Sequence, residues 1–350
     1  MTTPLRRCLA LLTAVLALAA GLTLPSYAEQ TGSGAAARSS AQRAPLTQVQ
    51  RVRVSWQGTS DNPDYVNSAV VPGIGSLDLI CRPNDTRVRL YTDRRGRETQ
   101  MWLQKYETKN GRAVVAVKTP RIYQYAHAED DGRGGTGYYA HEGLNQVPGV
   151  ENRSPGGYMH GVISQRSSRA AAGAQVASPL PVTTFELDWN WNGFDHPQRY
   201  RSCTIDATIT TQYPADQRTV LTWRGWETAP QETLRTALPG IGWLHLSCPT
   251  DTELDPTVWI DPYSEESSLY LEDVRGEGAV ADQRTTTTRA YDPATGLLGP
   301  YPLPSNGTLR MRVLNGEASR WLMLSSYWVT NDRWGPGRNV CELAAGAYNR

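Results

Sequence analysis

The sequence predicts an all-β protein made of two tandem homologous antiparallel β-sandwiches, each with one disulfide. Three observations lead to this prediction: a motif that occurs twice at a constant spacing, strand-type alternation along the chain, and four cysteines at matching points of the two repeats. No long stretch with the 3.6-residue period of a helix follows the first 28 residues, so a helical architecture is not expected.

Two separate motifs recur at the same distance. Trp56, in Val-Ser-Trp-Gln-Gly, returns as Trp223, in Leu-Thr-Trp-Arg-Gly. Cys81, which ends Val-Pro-Gly-Ile-Gly-Ser-Leu-Asp-Leu-Ile-Cys, returns as Cys248, which ends Leu-Pro-Gly-Ile-Gly-Trp-Leu-His-Leu-Ser-Cys. Both shifts are 167 positions (56 to 223, 81 to 248). This agreement predicts an internal duplication, with one repeat over 49–213 and the second over 214–350.

The N-terminus has the pattern of an export signal over 1–28. Two arginines precede an apolar run from Cys8 to Leu24, and Ser26-Tyr27-Ala28 places small residues at a cleavage site. The run is short for a transmembrane anchor, and no later apolar stretch is long enough for one. We therefore expect a secreted, extracellular protein without membrane insertion after signal removal. Residues 29–48, rich in Ser, Ala, Gly, Gln and Thr, predict a flexible leader.

The charge balance argues against nucleic acid as a partner. The chain has 35 Lys and Arg against 34 Asp and Glu, and the signal carries two of the arginines. The remaining chain is close to neutral and has no basic surplus to neutralise phosphates or anionic lipid. Arginines greatly outnumber lysines, which indicates a GC-rich genome such as that of an actinobacterium.

Four cysteines remain after signal removal, and they allow three pairings. Cys81 and Cys248 are equivalent by the repeat, and Cys203 and Cys341 each lie in the last strand expected for a repeat. If each repeat folds by itself, the disulfides are Cys81–Cys203 and Cys248–Cys341. A metal site is disfavoured because no Cys-x-x-Cys spacing occurs and exported cysteines usually oxidise.

Strands are predicted wherever apolar and polar residues alternate. In chain order these segments are 51–56, 87–90, 204–209, 243–246, 268–272 and 309–313, and a strand is also predicted at 113–117, a short, more buried run. Asn110-Gly111 predicts a two-residue hairpin turn. Pro-Gly-Ile-Gly at Pro72 and at Pro239 predicts a turn, not a phosphate loop, because a strand and not a helix follows. The alternation predicts sheets with one face on a core and the other in water.

A family resemblance rests on the two ends of each repeat. The opening Pro-Gly-x-Gly-x-Leu-x-Leu-x-Cys at 72–81 and 239–248, and the ending Cys-Thr-x-x-Ala at 203–207, resemble those of small exported actinobacterial β-sandwich proteins of unknown function. The ending is degenerate at Cys341. The resemblance implies export and a β fold, and it transfers no catalytic residue.

The repeats differ mainly in loop length. The interval between paired cysteines is 122 residues in the first repeat and 93 in the second (81 to 203, 248 to 341). The additional residues are assigned to two long loops, 127–150 and 165–181. Because binding residues often lie on loops held by a rigid scaffold, the first repeat is expected to carry the binding surface.

Aromatic pairs are the candidate binding residues. They are Trp189 and Trp191, Tyr123 and Tyr125, and Tyr138 and Tyr139. Residues two apart on a strand face the same way, so the first two pairs would each present flat rings for stacking on sugars. The alternative is a core role, because the chain has only two phenylalanines and other aromatic residues must help to fill the core.

A calcium loop is a second candidate. The candidate ligands are Asp188, Asn190, Asn192 and Asp195. Oxygen side chains at positions one, three and five followed by glycine match the start of an EF-hand loop. Arg199 stands where the last glutamate ligand belongs. The alternative is a hairpin that turns at Asn192-Gly193.

The sequence favours a secreted non-catalytic binding protein whose partner is extracellular or cell-envelope polysaccharide. One alternative is a secreted or cell-surface protein that binds another protein or is structural. Another is a polysaccharide-active hydrolase or lyase using His127, Glu129, His141 and Glu142. No Gly-x-Ser-x-Gly motif occurs, and no catalytic residue is assigned.

Overall fold

The structure, a computed structural model, describes residues 46–59, 65–81, 86–93, 99–109, 112–118, 121–122, 156–165, 181–193, 196–213, 219–275, 282–316 and 318–348. Over these ranges the protein is all-β, with four separate antiparallel sheets. Two 3-10 helices, Gln198–Tyr200 and Pro336–Arg338, complete the regular structure of these ranges.

The two larger sheets, A and C, share a strand order. Sheet A consists of β1 (Leu46–Gln57), β5 (Thr99–Lys109), β6 (Arg112–Lys118), β7 (Arg121–Ile122), β8 (Gly156–Gln165), β9 (Val182–Asn192) and β10 (Ser202–Tyr213). Sheet C consists of β11 (Val220–Arg224), β15 (Ser268–Arg275), β16 (Asp282–Ala290), β18 (Asn306–Asn315), β19 (Ala318–Val329) and β20 (Val340–Ala347). The orders are β1-β10-β9-β8-β5-β6, with β7 beside β5, and β11-β20-β19-β18-β15-β16.

The two smaller sheets, B and D, also correspond. Sheet B consists of β2 (Val66–Val71), β3 (Gly75–Ile80) and β4 (Arg87–Thr92). Sheet D consists of β12 (Thr233–Leu238), β13 (Gly242–Ser247), β14 (Thr257–Pro262) and β17 (Leu298–Pro302). Sheet B is a three-stranded meander, and sheet D has the same meander of β12, β13 and β14 with β17 added beside β14 after the chain has passed through two strands of sheet C.

The predicted strands and turns are found. Each of the seven predicted segments lies in a strand, and Lys109 pairs with Arg112, which leaves two residues for the predicted hairpin turn. The leader was predicted over 29–48, but its last residues, 46–48, belong to β1. They pair with the end of β10. The rest of the leader and the signal lie outside the described residues.

The Pro-Gly-Ile-Gly segments form matching turns. They join β2 to β3 and β12 to β13, and their first glycines, Gly73 and Gly240, have φ of 75° and 78°. A Cβ at Gly242 would overlap the carbonyl oxygen of Asp261 on β14, just as one at Gly75 would overlap that of Tyr91. Glycine is therefore required both for the turn and for the close approach of the next strand.

Each small sheet packs on one large sheet around an apolar core. Sheet B covers sheet A in a first core that contains the Cys81–Cys203 disulfide. Sheet D covers sheet C in a second core that contains Cys248–Cys341. The predicted pairing is thus confirmed. In the chain-entropy model, loops of these lengths give each disulfide at most about 4–5 kcal/mol of stabilisation.

Sheets A and C also pack on each other, through the faces turned away from these cores. Val162 and Val182 of sheet A meet Met323, Ala344 and Tyr348 in a third apolar cluster. The expectation that the second face of each sheet lies in water is therefore wrong for A and C. Alternation of apolar and polar residues shows that one face of a strand is polar, but it does not show whether that face lies in water. In sheets A and C much of the polar face is buried between the two sheets.

A hydrogen-bonded polar network occupies the rest of this A–C interface. The side chain of Gln104 on β5 accepts hydrogen bonds from His160 of β8, at 3.0 Å, and from Thr308 of β18. Because the amide oxygen can only accept, His160 carries its proton on Nε2. Its buried Nδ1 has no hydrogen-bond partner among the described residues.

Arg310 of β18 is the ionic centre of the A–C interface. Its guanidinium lies 3.2 Å from Glu186 of β9 and 3.2 Å from Glu272 of β15. Tyr158 donates a hydrogen bond to Glu186, and Tyr106 donates one to Glu272 at 2.7 Å. Burial raises the pKa of both phenols, so they stay protonated and serve as donors.

The domain boundary near Tyr213 stays a prediction. Strands up to Tyr213 build sheets A and B, and strands from Val220 onward build C and D. Contacts across the A–C interface join both sets in one compact unit over 43–350. No helix in the described ranges is long and apolar enough to cross a membrane.

The turn glycines give a test of the fold. Gly242→Ala should lower the free energy of unfolding by about 1–3 kcal/mol, because the methyl group meets the Asp261 carbonyl and φ is 152°. Urea unfolding measures this change. Gly337→Ala is the control: no atom lies within 4 Å of the added carbon, and stability should stay equal or rise by up to about 1 kcal/mol. Equal losses in both variants would contradict the turn geometry.

His160 predicts a pH dependence of stability. Burial, and then the positive charge of Arg310, hold its pKa well below the usual value, and Tyr106, Tyr158 and Glu186 also surround it. Below about pH 6.5 the unfolded chain binds a proton that the folded chain does not. The unfolding free energy should then fall with decreasing pH by up to about 1.4 kcal/mol per unit from this residue.

The measurement is urea unfolding of the wild type and of His160→Gln between pH 7.5 and pH 5. The difference in slope between the two proteins should approach one proton, because glutamine keeps a hydrogen-bonding side chain but does not titrate. A His160→Gln slope equal to that of the wild type would refute the assignment.

Candidate functional site

The two tryptophans expected to bind sugar are buried in the first core. Trp189 is 3% exposed and Trp191 is 2% exposed. The Trp191 ring lies 5.6 Å from that of Trp56, and its indole N–H donates to Thr86 at 2.8 Å. Neither ring offers a face to a ligand, so the alternative core role describes their placement.

The other aromatic candidates lie outside the described residues. These are Tyr123, Tyr125, Tyr138 and Tyr139. The same holds for the loop 127–150 with its histidines and carboxylates, and for 166–180 of the second long loop. Their roles stay predictions.

The proposed calcium segment is an extended strand where it is described. Asp188, Asn190 and Asn192 alternate along β9 with exposed side chains, so successive residues of the three lie about 7 Å apart and do not curl around one centre. Asp195 lies outside the described residues. Calcium binding stays a prediction.

The hairpin alternative is correct in kind but not in its turn. Strands β9 and β10 pair from Asn192 to Ser202, so the connection runs over 193–201 and includes the 3-10 helix. It is longer than the two-residue Asn-Gly turn that the sequence suggested.

The structure assembles an aromatic surface that the sequence analysis missed, on the outer face of sheet D. Alternate residues of β12, β13 and β14 fill the second core, among them Leu234, Leu244 and Val258. The intervening residues point away from that core. They are Arg235, Trp243, His245, Trp259 and Asp261, and we call this surface the D face.

Stacking fixes the rings of the D face. The imidazole of His245 lies on Trp259, with ring centroids 5.0 Å apart and an interplanar angle of 11°. The guanidinium of Arg235 lies 4.1 Å from the centroid of Trp243. Trp243 and Trp259 are diagonal neighbours on paired strands, with Cα atoms about 7–8 Å apart, and both are partly exposed.

The D face is electrically balanced. Arg235 lies 3.5 Å from Asp261, and their charges offset each other. Burial and the nearby Arg235 lower the pKa of His245, while Asp261 partly opposes this shift. The imidazole is therefore neutral at pH 7. A surface of partly exposed rings without net charge suits an uncharged ligand with flat apolar faces.

The corresponding face of sheet B lacks these rings. Ser76 occupies the motif position of Trp243, and Asp78 that of His245. Asp78 accepts a hydrogen bond from Ser68 at 2.6 Å. An alignment of the two repeats could have revealed the D face. The segment 243–246 has Trp and His at its outward positions, where the first repeat has Ser and Asp.

Comparisons of the chain with protein-family models, curated proteins and solved structures found no match. The functional proposals therefore rest on the residues of this chain alone.

Proposed function

We propose that the protein is an exported, non-catalytic binding protein whose D face takes the sugar rings of an extracellular or cell-envelope polysaccharide. The observation that carries this proposal is the pair of partly exposed indoles, Trp243 and Trp259, on neighbouring strands of one sheet face. Indoles stack on the apolar faces of sugar rings, and adjacent polar groups orient the hydroxyls.

The rings of the D face are held in fixed positions, and this supports a role in binding. Sheet D packs on the second core, which contains the Cys248–Cys341 disulfide. His245 and Arg235 each hold one indole in place by stacking. Rings that are already ordered lose little conformational entropy when a ligand binds.

Export and duplication belong to the same proposal. The two disulfides fit an oxidising compartment outside the cell. The equal strand orders of sheets A and C, and the two matching Pro-Gly-Ile-Gly turns, support a tandem duplication. In this scheme the two repeats diverged at these positions: the second has Trp243 and His245 where the first has Ser76 and Asp78.

Substitution of the indoles tests this function. Trp243→Ser, which introduces the residue that the first repeat has at this position, and Trp259→Ala should each weaken polysaccharide binding about two- to twelvefold, since an aromatic stacking contact contributes about 0.5–1.5 kcal/mol. Affinity electrophoresis and pull-down with cellulose, chitin, mannan and peptidoglycan measure retention.

Trp334→Ala is the matched control, because this indole is 66% exposed and lies outside the D face. It should leave retention unchanged. Absence of binding to every polymer, or equal loss in all three variants, would remove the proposal. Specific capture of one protein from the producer's culture fluid, lost in Trp243→Ser, would instead favour a protein ligand.

A further inference from the structure

Beyond the D face, the chain of β14 carries one more exposed ring. The backbone N–H of Tyr263 donates to the carbonyl of Ile241 at 2.8 Å, so the pairing of β13 with β14 continues one residue past Pro262. Side chains alternate along a strand, which places Tyr263 on the side of Trp259 and Asp261. Tyr263 is 61% exposed.

Three rings therefore follow one line along the sheet. Trp259 and Tyr263 are four residues apart on one strand, which corresponds to about 13 Å at about 3.3 Å per residue. Trp243 lies on β13, about 5 Å to the side, and is paired with Asp261, the residue halfway between the other two rings. We call Trp259, Trp243 and Tyr263 the ring row. Three rings in succession match at least three consecutive units of a sugar chain.

The first repeat has no ring at any of these three positions. The strand registers, and the equivalent backbone hydrogen bonds of Asp93 and Tyr263, align sheet B with sheet D. The residues of sheet B that correspond to the ring row are Arg89, Ser76 and Asp93. Tyr91 stands instead at the position of Asp261. Because the same turn and register form in sheet B without the three rings, the fold does not require them, and they are available for binding.

The charges around the ring row favour a neutral chain. Within the D face, Arg235 is already paired with Asp261 at 3.5 Å and leaves no positive surplus for an acidic polymer. Two exposed carboxylates, those of Glu265 and Glu266, follow Tyr263 directly in the chain. They would repel an acidic polysaccharide at this end of the ring row.

We propose that the ring row binds one extended, neutral polysaccharide chain over at least three consecutive sugar units, with Tyr263 as the third stacking residue. This inference rests on the proposed binding of polysaccharide by the D face, and it adds the length, the direction and the charge of the bound segment. The chain runs along β14, because the ring row does. An extended chain presents successive sugar faces along one line, whereas a single sugar unit reaches only one ring of the row.

Competition by oligosaccharides of increasing length tests the ring row. The full mature chain is bound to each polymer that retains it, and cello-, chito- and manno-oligosaccharides of two to six units are added as competitors. The potency of at least one series should rise about two- to twelvefold from two units to four, which is the gain from one further stacking contact, and then level off. In Tyr263→Ala this rise should disappear, while the disaccharide competes as it does with the wild type.

Tyr200→Ala is the matched control and should keep the rise. Tyr200 is 59% exposed, close to the exposure of Tyr263, and it lies in the 3-10 helix between β9 and β10, outside the ring row. Oligogalacturonates of the same lengths, which carry a carboxylate on each unit, should compete at least tenfold more weakly than the neutral series.

The inference is overturned if potency does not rise beyond two units, if Tyr263→Ala keeps the rise, or if oligogalacturonates compete as well as the neutral series. Polymer retention that depends on Trp243 but shows no such rise would remove the ring row and leave the proposed function standing. Absence of retention on every polymer would remove both.

Discussion

The packing of sheet A on sheet C depends on one buried ionic contact. Arg310 is 10% exposed and lies between Glu186, 13% exposed, and Glu272, 14% exposed. Taking three charges out of water is costly, and the cost is offset only while all three stay together with the hydrogen bonds of Tyr106 and Tyr158. Removal of Arg310 would leave two carboxylates inside the interface without a cation. We therefore expect the contact, together with the apolar cluster of Val162, Val182 and Met323, to fix which face of sheet C meets sheet A.

This packing decides which surfaces remain for ligands. Because sheets A and C pack against each other, sheets B and D are the outer layers. The D face, with Trp243 and Trp259, lies on one of these outer layers. Sheet C does not cover the whole polar face of sheet A. The uncovered part includes the exposed Asp188 of β9, whereas Glu186 on the same strand lies in the interface.

Local features of the fold could be predicted from the sequence, and features that depend on packing between sheets could not. Alternation located part of the strands, among them β10, β13 and β18, Asn110-Gly111 located a hairpin, and the repeated motif selected the disulfide pairing. Trp189 shares its strand face with Leu187, and period two cannot tell whether such a face meets water or a core. Gln104 and His160 are both polar and both buried, which the sequence analysis did not address. The D face needed the register of β13 against β14, which joins residues that no short motif connects.

A double-mutant cycle across the A–C interface tests the central claim most directly. Urea unfolding would be measured for wild type, Glu186→Gln, Arg310→Met and the double variant, with the exposed pair Arg53 and Asp206 as the reference cycle. The account predicts a coupling of about 1–3 kcal/mol between Glu186 and Arg310, because Arg310→Met leaves the buried Glu186 carboxylate without a cation, and Glu186→Gln removes that penalty. The reference cycle should give less than about 1 kcal/mol. Additive effects of Glu186→Gln and Arg310→Met, within about 0.5 kcal/mol, would contradict the account.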